Sequence, residues 1–161
     1  VIGEIVEVGF ANWIVDIGAP WYANLPLGEA VSEFVDVLRE DISKYFDVGD
    51  YIFAKIINIP KNKMIQLSLK GPGLKKLKGG RIVKILPSKV PRIIGRKGSM
   101  ISMIKRLTNC EILIGQNGWV WIRGDPEKEL LVFEALRMIE RESHIRGLTE
   151  KVKRFLEGGL K

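Results

Sequence analysis

Two glycines three residues apart, Gly95 and Gly98, enclose the cations Arg96 and Lys97. Directly after them Met100, Ile101, Met103, Ile104 and Leu107 recur at helical spacing. Glycine permits a tight turn and a close approach of backbone to ligand, and a helix that begins at such a turn offers free N–H groups to an anion. Arg96 and Lys97 add charge, with Arg92 before the turn and Ser99 after it as further donors. The pattern points to gripping phosphate rather than breaking bonds; its bland alternative is a glycine connector between two helices. No catalytic set accompanies it. His144 is the single histidine and Cys110 the single cysteine, so neither a metal-ligand cluster nor a Ser-His-Asp arrangement can be assembled. No P-loop or paired catalytic acids stand out. A binding protein with no catalytic residues, no metal and no cofactor is expected.

Charge distribution supports a polyanionic partner. Of 161 residues, 26 are Lys or Arg and 19 Asp or Glu. Residues 1–69 contain five cations against ten acids, residues 70–161 contain twenty-one against nine, and residues 70–110 contain twelve cations and no acid. The chain is electrically two-part, with the glycine turn inside the acid-free stretch. Apolar content of 46% suffices for real cores. No apolar run reaches the ~20 residues of a membrane span, and no signal peptide opens the chain. With a lone cysteine read as core, these features predict a soluble cytoplasmic protein. Because the chain starts at Val1, without Met, inside an expected strand, an earlier segment is expected to be absent.

The elements that must position the turn follow from periodicity. Short strands are predicted over residues 2–8, 13–17, 23–27, 51–59 and 64–69, the last alternating Ile65, Leu67 and Leu69 against Met64, Gln66 and Ser68. Pro60, Lys61, Asn62 and Lys63 form a charged hairpin turn, and residues 31–46 a loop with one helical turn near 41–45. Five strands with a long insertion before the fourth are the OB arrangement, an all-β barrel that commonly binds single-stranded nucleic acid. Residues 1–70 are therefore assigned to an OB domain and residues 71–79, with their glycines and lysines, to a linker. Beyond it come a strand over 81–86, helices over 88–94 and 99–107, strands over 111–114 and 119–123 about a Gln116-Asn117-Gly118 turn, and a long helix from Asp125-Pro126 to about 143. This β-α-α-β-β-α domain, α+β in class, spans residues 80–143. An amphipathic extension, 144–161, carries Leu148, Val152, Phe155 and Leu156 and either caps the domain or docks on a partner.

That element order, with Ile93-Ile94-Gly95-Arg96-Lys97-Gly98 between its first two helices, resembles the type I KH domain, which implies single-stranded RNA as ligand and the turn as its phosphate clamp. The first domain resembles the S-one type of OB fold through Gly3-Glu4-Ile5-Val6, Trp13-Ile14-Val15-Asp16-Ile17, Val48-Gly49-Asp50 and Ile65-Gln66-Leu67-Ser68-Leu69-Lys70. By this resemblance Phe10 and Trp13 stand where that family stacks bases, burial in the core being the alternative for the two aromatics; Lys61 and Lys63, on the charged hairpin turn, are further candidate RNA contacts. The family's histidine on the third strand is absent, since this chain reads Ala23-Asn24-Leu25-Pro26-Leu27. Trp21 and Tyr22, in a predicted loop, are candidates for a protein contact. So are Trp119 and Trp121 if Val120 and Ile122 face the helices; otherwise the tryptophans are themselves the core face.

An S-one-type domain followed by a single KH domain resembles the RNA-binding cap subunits of the archaeal exosome, the ribosomal-RNA-processing protein four family. Membership would imply a non-catalytic subunit, in three copies on a ring of phosphorolytic ribonuclease subunits, that feeds RNA 3′ ends to the ring. The alternatives are a free-standing RNA-binding adaptor, a transcription or translation factor, and a fragment of polynucleotide phosphorylase, whose domain order is the reverse.

Overall fold

The computed structural model describes residues 1–32, 35–58 and 64–160. The chain divides into two compact units, Val1–Lys78 and Gly79–Lys161, each with its own apolar core.

The first unit is a curled sheet of seven strands, β1 (Ile2–Val8), β2 (Asn12–Asp16), β3 (Ala23–Pro26), β4 (Tyr51–Phe53), β5 (Lys55–Asn58), β6 (Ile65–Ser68) and β7 (Lys75–Leu77), in the spatial order β5-β6-β3-β2-β1-β4-β7. The expected strand over 51–59 is two strands, broken at the buried Ala54. β4 pairs with β1 and β5 with β6, on opposite sides of the sheet order. One residue joins them, so the sheet has to curl until these two strands approach each other. This half-barrel is the OB arrangement. Close strand approach explains Gly3, where a Cβ would lie 2.5 Å from Val15 Cγ1.

β2 and β3 alternate cleanly. Trp13, Val15, Ala23 and Leu25 are buried among Ile5, Ile52 and Leu67, whereas Asn12, Ile14, Asp16, Asn24 and Pro26 are only partly covered on the other face. A short helix α1 (Leu27–Ala30), where the expected strand ends, sits against β6 through Ser68 Oγ donating to Glu29 Oε2 at 2.7 Å. The turn of helix expected near 41–45 is a 3₁₀ turn, Ile42–Lys44, capped by Asp41, whose carboxylate accepts from Ser43 N at 3.0 Å. It delivers Ile42 and Phe46 to the core. The residues assigned to a linker, 71–79, contain β7, which pairs with β4 and belongs to the first unit. The hairpin turn expected at 60–63 lies outside the described residues.

The second unit has a three-stranded antiparallel sheet of β8 (Arg81–Lys84), β9 (Glu111–Ile114) and β10 (Trp119–Arg123), in the order β8-β10-β9. Helices α2 (Val90–Ile94), α3 (Ser99–Thr108), α4 (Pro126–Arg141) and α5 (Leu148–Gly159) complete it. Val120 and Ile122 join the core with Ile93, Met100, Ile104, Val132, Ala135, Leu136 and Ile139. Leu130, on α4, is 47% exposed, while Val132, Ala135, Leu136 and Ile139 of that helix are buried. The extension over 144–161 is part of the same core: α5 packs on α3 and α4, with Leu148, Val152 and Leu156 fully buried. Burying three aliphatic side chains contributes roughly 1.5 to 3 kcal/mol each.

Candidate nucleic-acid interface

α2 is a single turn plus one residue, started by Pro91 and closed by Gly95 N donating to Pro91 O at 2.9 Å. The chain then reverses through Gly95 (φ 78°), Lys97 (φ 54°) and Gly98 (φ 75°), with Gly98 N donating to Gly95 O at 3.2 Å. The two glycines are needed for different reasons. A Cβ at Gly95 would lie 2.7 Å from Met100 N and 2.8 Å from its Cβ, so the next helix itself excludes a side chain. At Gly98 there is room, and the left-handed backbone alone favours glycine. Lys97 holds the same left-handed conformation without that freedom, a strain of about 1 to 2 kcal/mol stored in the turn.

α3 begins after Gly98 with no side-chain cap, but the Ser99 N–H donates to the Arg96 carbonyl, so the first N–H of the helix is taken within the turn instead of being free for an anion as the spacing suggested. Arg96, Lys97 and Ser99 are exposed around the turn. Arg92 plays a different part. It is half-buried, and its Nε donates to the Ser143 carbonyl oxygen at 3.2 Å. Lys89 Nζ donates to Ser143 Oγ at 2.7 Å. The far end of α4 also accepts Leu86 N on Glu140 Oε2 at 2.8 Å. Helix α2 and the residues leading into it are thereby tied to residues just inside and just beyond the end of α4.

Beside the turn, an open cleft of about 440 Å³ is lined by Pro87, Val90, Pro91, Ile94, Gly95 and Gln116. Its walls are apolar, with one amide. Gln116 is carried by the β9–β10 hairpin, which Ile85 N anchors by donating to Gly118 O at 2.8 Å. An apolar slot next to two cationic side chains suits a flat base whose phosphates lie at the turn.

The first unit offers a different surface. Phe10, in the β1–β2 loop, is 67% exposed and free to stack. Trp13 is not a stacking residue. It is fully buried, packed edge-on against Phe46 with ring centroids 5.1 Å apart, and its Nε1 donates to Phe46 O at 2.7 Å. The pleat decides this, because Trp13 shares its face with Val15 rather than with Asn12 and Ile14. Trp21 and Tyr22 are about half exposed in the β2–β3 loop. Lys61 and Lys63 lie outside the described residues.

One feature of this unit escapes motif reading. Asn12 Nδ2 donates to Asn24 Oδ1 at 2.6 Å, and Asn24 Nδ2 donates to Gln66 Oε1 at 2.9 Å, forming an amide ladder over β2, β3 and β6. Amides read base edges well because each carries both donor and acceptor. The signal available in the sequence was one amide at an outward position on each of three strands.

Trp119 and Trp121 also differ from expectation. They lie on the sheet face opposite Val120 and Ile122, yet they are 4% and 1% exposed. Lys84 Nζ sits 4.3 Å from the Trp119 ring centroid, Arg123 lies over Trp121, and Trp121 Nε1 donates to Gly79 O at 2.8 Å. They are not an exposed docking pair. Cys110 is buried, and that burial pushes its thiol pKa up, away from reactivity. Among the described residues no three His, Cys, Asp or Glu side chains gather into a metal-binding group, and no helix is long and apolar enough to cross a membrane.

Comparison with known proteins adds three findings. The family model of the KH domain matches residues 80–128. The exosome complex component Rrp4 of Pyrococcus horikoshii is 52% identical over 159 residues, covering 97% of this chain and 60% of the relative. Rrp4 of Methanothermus fervidus is 52% identical over 156 residues, covering 97% of this chain and 68% of the relative, and Rrp4 of Thermoplasma volcanium is 45% identical over 157 residues, covering 98% and 65%. A crystal structure described as that of an exosome complex RNA-binding protein superposes with a TM-score of 0.92 at 35% identity, covering 99% of this chain and 92% of that one. The chain spans about 60% of the length of its Pyrococcus horikoshii relative.

Proposed function

Since this chain belongs to the family of the exosome complex component Rrp4, we propose that it is the RNA-binding part of a non-catalytic exosome cap subunit that steers RNA 3′ ends into a phosphorolytic ring. The observation that carries this reading is the Gly95–Gly98 turn. It brings two exposed cations, a glycine-permitted backbone turn and an apolar cleft together in one place. Such a site holds a single strand by its phosphates and accepts a base without demanding a particular one. A cap that passes many RNAs onward needs that tolerance.

The first unit supplies a second contact through Phe10 and the amide ladder, and its acidity keeps its hold on the phosphate backbone weak. A strand gripped at the basic unit and only loosely touched at the acidic one can still slide. By family resemblance the ring carries the phosphorolysis, the cap sits on it in three copies, and the complex works in the cytoplasm.

Two measurements test this. Fluorescence anisotropy with a single-stranded RNA should show Arg96→Glu with Lys97→Glu weakening binding and making its salt dependence shallower by roughly 0.7 per lost phosphate contact. Unchanged affinity removes the turn as the main clamp. Affinity capture with the natural full-length subunit should recover a ribonuclease ring, and a protein that stays free of any ring defeats the cap assignment.

A further inference from the structure

The exposed face of α3 is chemically uniform. Its buried positions are Met100, Ile101, Met103, Ile104 and Thr108; its exposed positions are Ser99, Ser102, Lys105 and Arg106, followed by Asn109 just past its end. No apolar side chain and no carboxylate interrupts that stripe. Among the described residues neither Lys105 nor Arg106 makes an ion pair, although other cations of this unit, such as Arg81, Arg123 and Arg137, do. Their charge is uncompensated. Ser99 and Ser102 are one helical step apart and Lys105 and Arg106 the next, so donors recur about every 5 Å along a helix about 15 Å long.

We propose that this face of α3 is a second, sequence-independent phosphate track. It carries the strand onward from the Gly95–Gly98 turn and widens the RNA footprint beyond the nucleotides held there. The proposal rests on the turn being a phosphate clamp, because the track starts where the clamp ends: Arg96 and Lys97 stand just before α3, Lys105 and Arg106 in its last turn. An acidic protein surface is the competing occupant. Stable protein contacts are built around aromatic or aliphatic anchors, and this face has none. Hydroxyls followed along the helix by free cations suit phosphate oxygens better.

Lys105 and Arg106 also stand at the C-terminus of α3, where cations favour the helix dipole. That role would change the melting temperature and leave RNA length dependence untouched, so the two roles can be separated.

The test compares two single-stranded RNAs on the whole chain. One, of about five nucleotides, just exceeds the four that a glycine-turn clamp holds; the other is about fifteen. The wild type should bind the longer RNA more tightly. Lys105→Gln with Arg106→Gln, and separately Lys105→Glu with Arg106→Glu, should abolish most of that gain, weakening the longer RNA roughly five- to tenfold and lowering its salt slope by about 1 to 1.5. Binding of the short RNA should stay within about twofold.

The track is overturned if the variants keep the full length-dependent gain, if the wild type shows no such gain, or if short and long RNAs weaken equally. Loss of capture by an acidic partner protein with RNA binding intact overturns it in favour of a protein-docking face. Failure of the wild type to bind the short RNA refutes the clamp instead, and with it the premise of the track.

Discussion

Arg92 Nε donates to the backbone carbonyl of Ser143 at 3.2 Å, across 51 residues of chain. The KH family match ends at residue 128, so the residue that holds α2 in place lies beyond the matched segment. The Gly95–Gly98 turn depends on a part of the chain that carries none of its motif.

Arg92→Ala should therefore destabilise the second unit by about 1 kcal/mol, a value reduced for the partial exposure of this contact. RNA affinity should fall only a few-fold. The salt slope of binding separates the two possible roles. A positioning Arg92 leaves the slope unchanged, while an Arg92 that touches phosphate lowers it by about 0.7.

Gly95→Ala and Gly98→Ala should differ. At Gly95 a methyl group meets the backbone of Met100 in addition to the backbone penalty, so a cost above about 2 kcal/mol is expected; at Gly98 the backbone penalty alone, about 1 kcal/mol, applies. Urea denaturation gives the ranking, and equal costs would show that the Gly95–Met100 approach relaxes freely.

Lys97→Gly should raise stability by about 0.5 to 1 kcal/mol, because glycine occupies the left-handed backbone at φ 54° without strain. RNA binding should weaken in the same variant, since one cation of the turn is lost. Stabilisation and weaker binding together would mark Lys97 as kept for function.

Acid should loosen β7. Although partial burial raises the Asp50 pKa, the Asp47 N–H and the Lys76 ammonium outweigh it and hold the carboxyl below its ordinary value. A depressed carboxyl pKa stabilises the fold above its unfolded value of about 3.9, and that contribution disappears as pH falls through the lower folded value. Asp50→Asn should melt below the wild type at neutral pH, with the difference shrinking below about pH 4. A constant difference would rule out the ionised carboxylate as the cause.

Leu156→Ala should cost about 2 to 4 kcal/mol, because Leu156 is fully buried between α5 and the helices it packs on. A cost under about 0.5 kcal/mol, the range of surface changes, would mean that α5 is a detachable appendage.

What could be read from the sequence was what local spacing encodes. The glycine turn, the two helices around it, the β9–β10 hairpin and the order β-α-α-β-β-α each depend on residues a few positions apart, and all are present. The charge boundary near residue 70 likewise falls close to the division at Lys78 and Gly79. Period-two alternation showed that Trp13 and Val15 share a face but could not say that this face looks inward, because that depends on which distant strands close over it. Nor could it show that both faces around Trp119 and Trp121 are covered.

Three further features were decided only by folding. β7 exists because β4 offers Lys75, Lys76 and Leu77 an edge to pair with, although their composition reads as a linker. Arg92 is held by Ser143 because α4 packs against α2, and the amide ladder forms because β3 pairs in parallel with β6. Each joins residues more than twenty positions apart. Sequence determined which elements form and which residues carry charge; tertiary packing, which alone sets what meets across such distances, decided which of those residues remain free to bind.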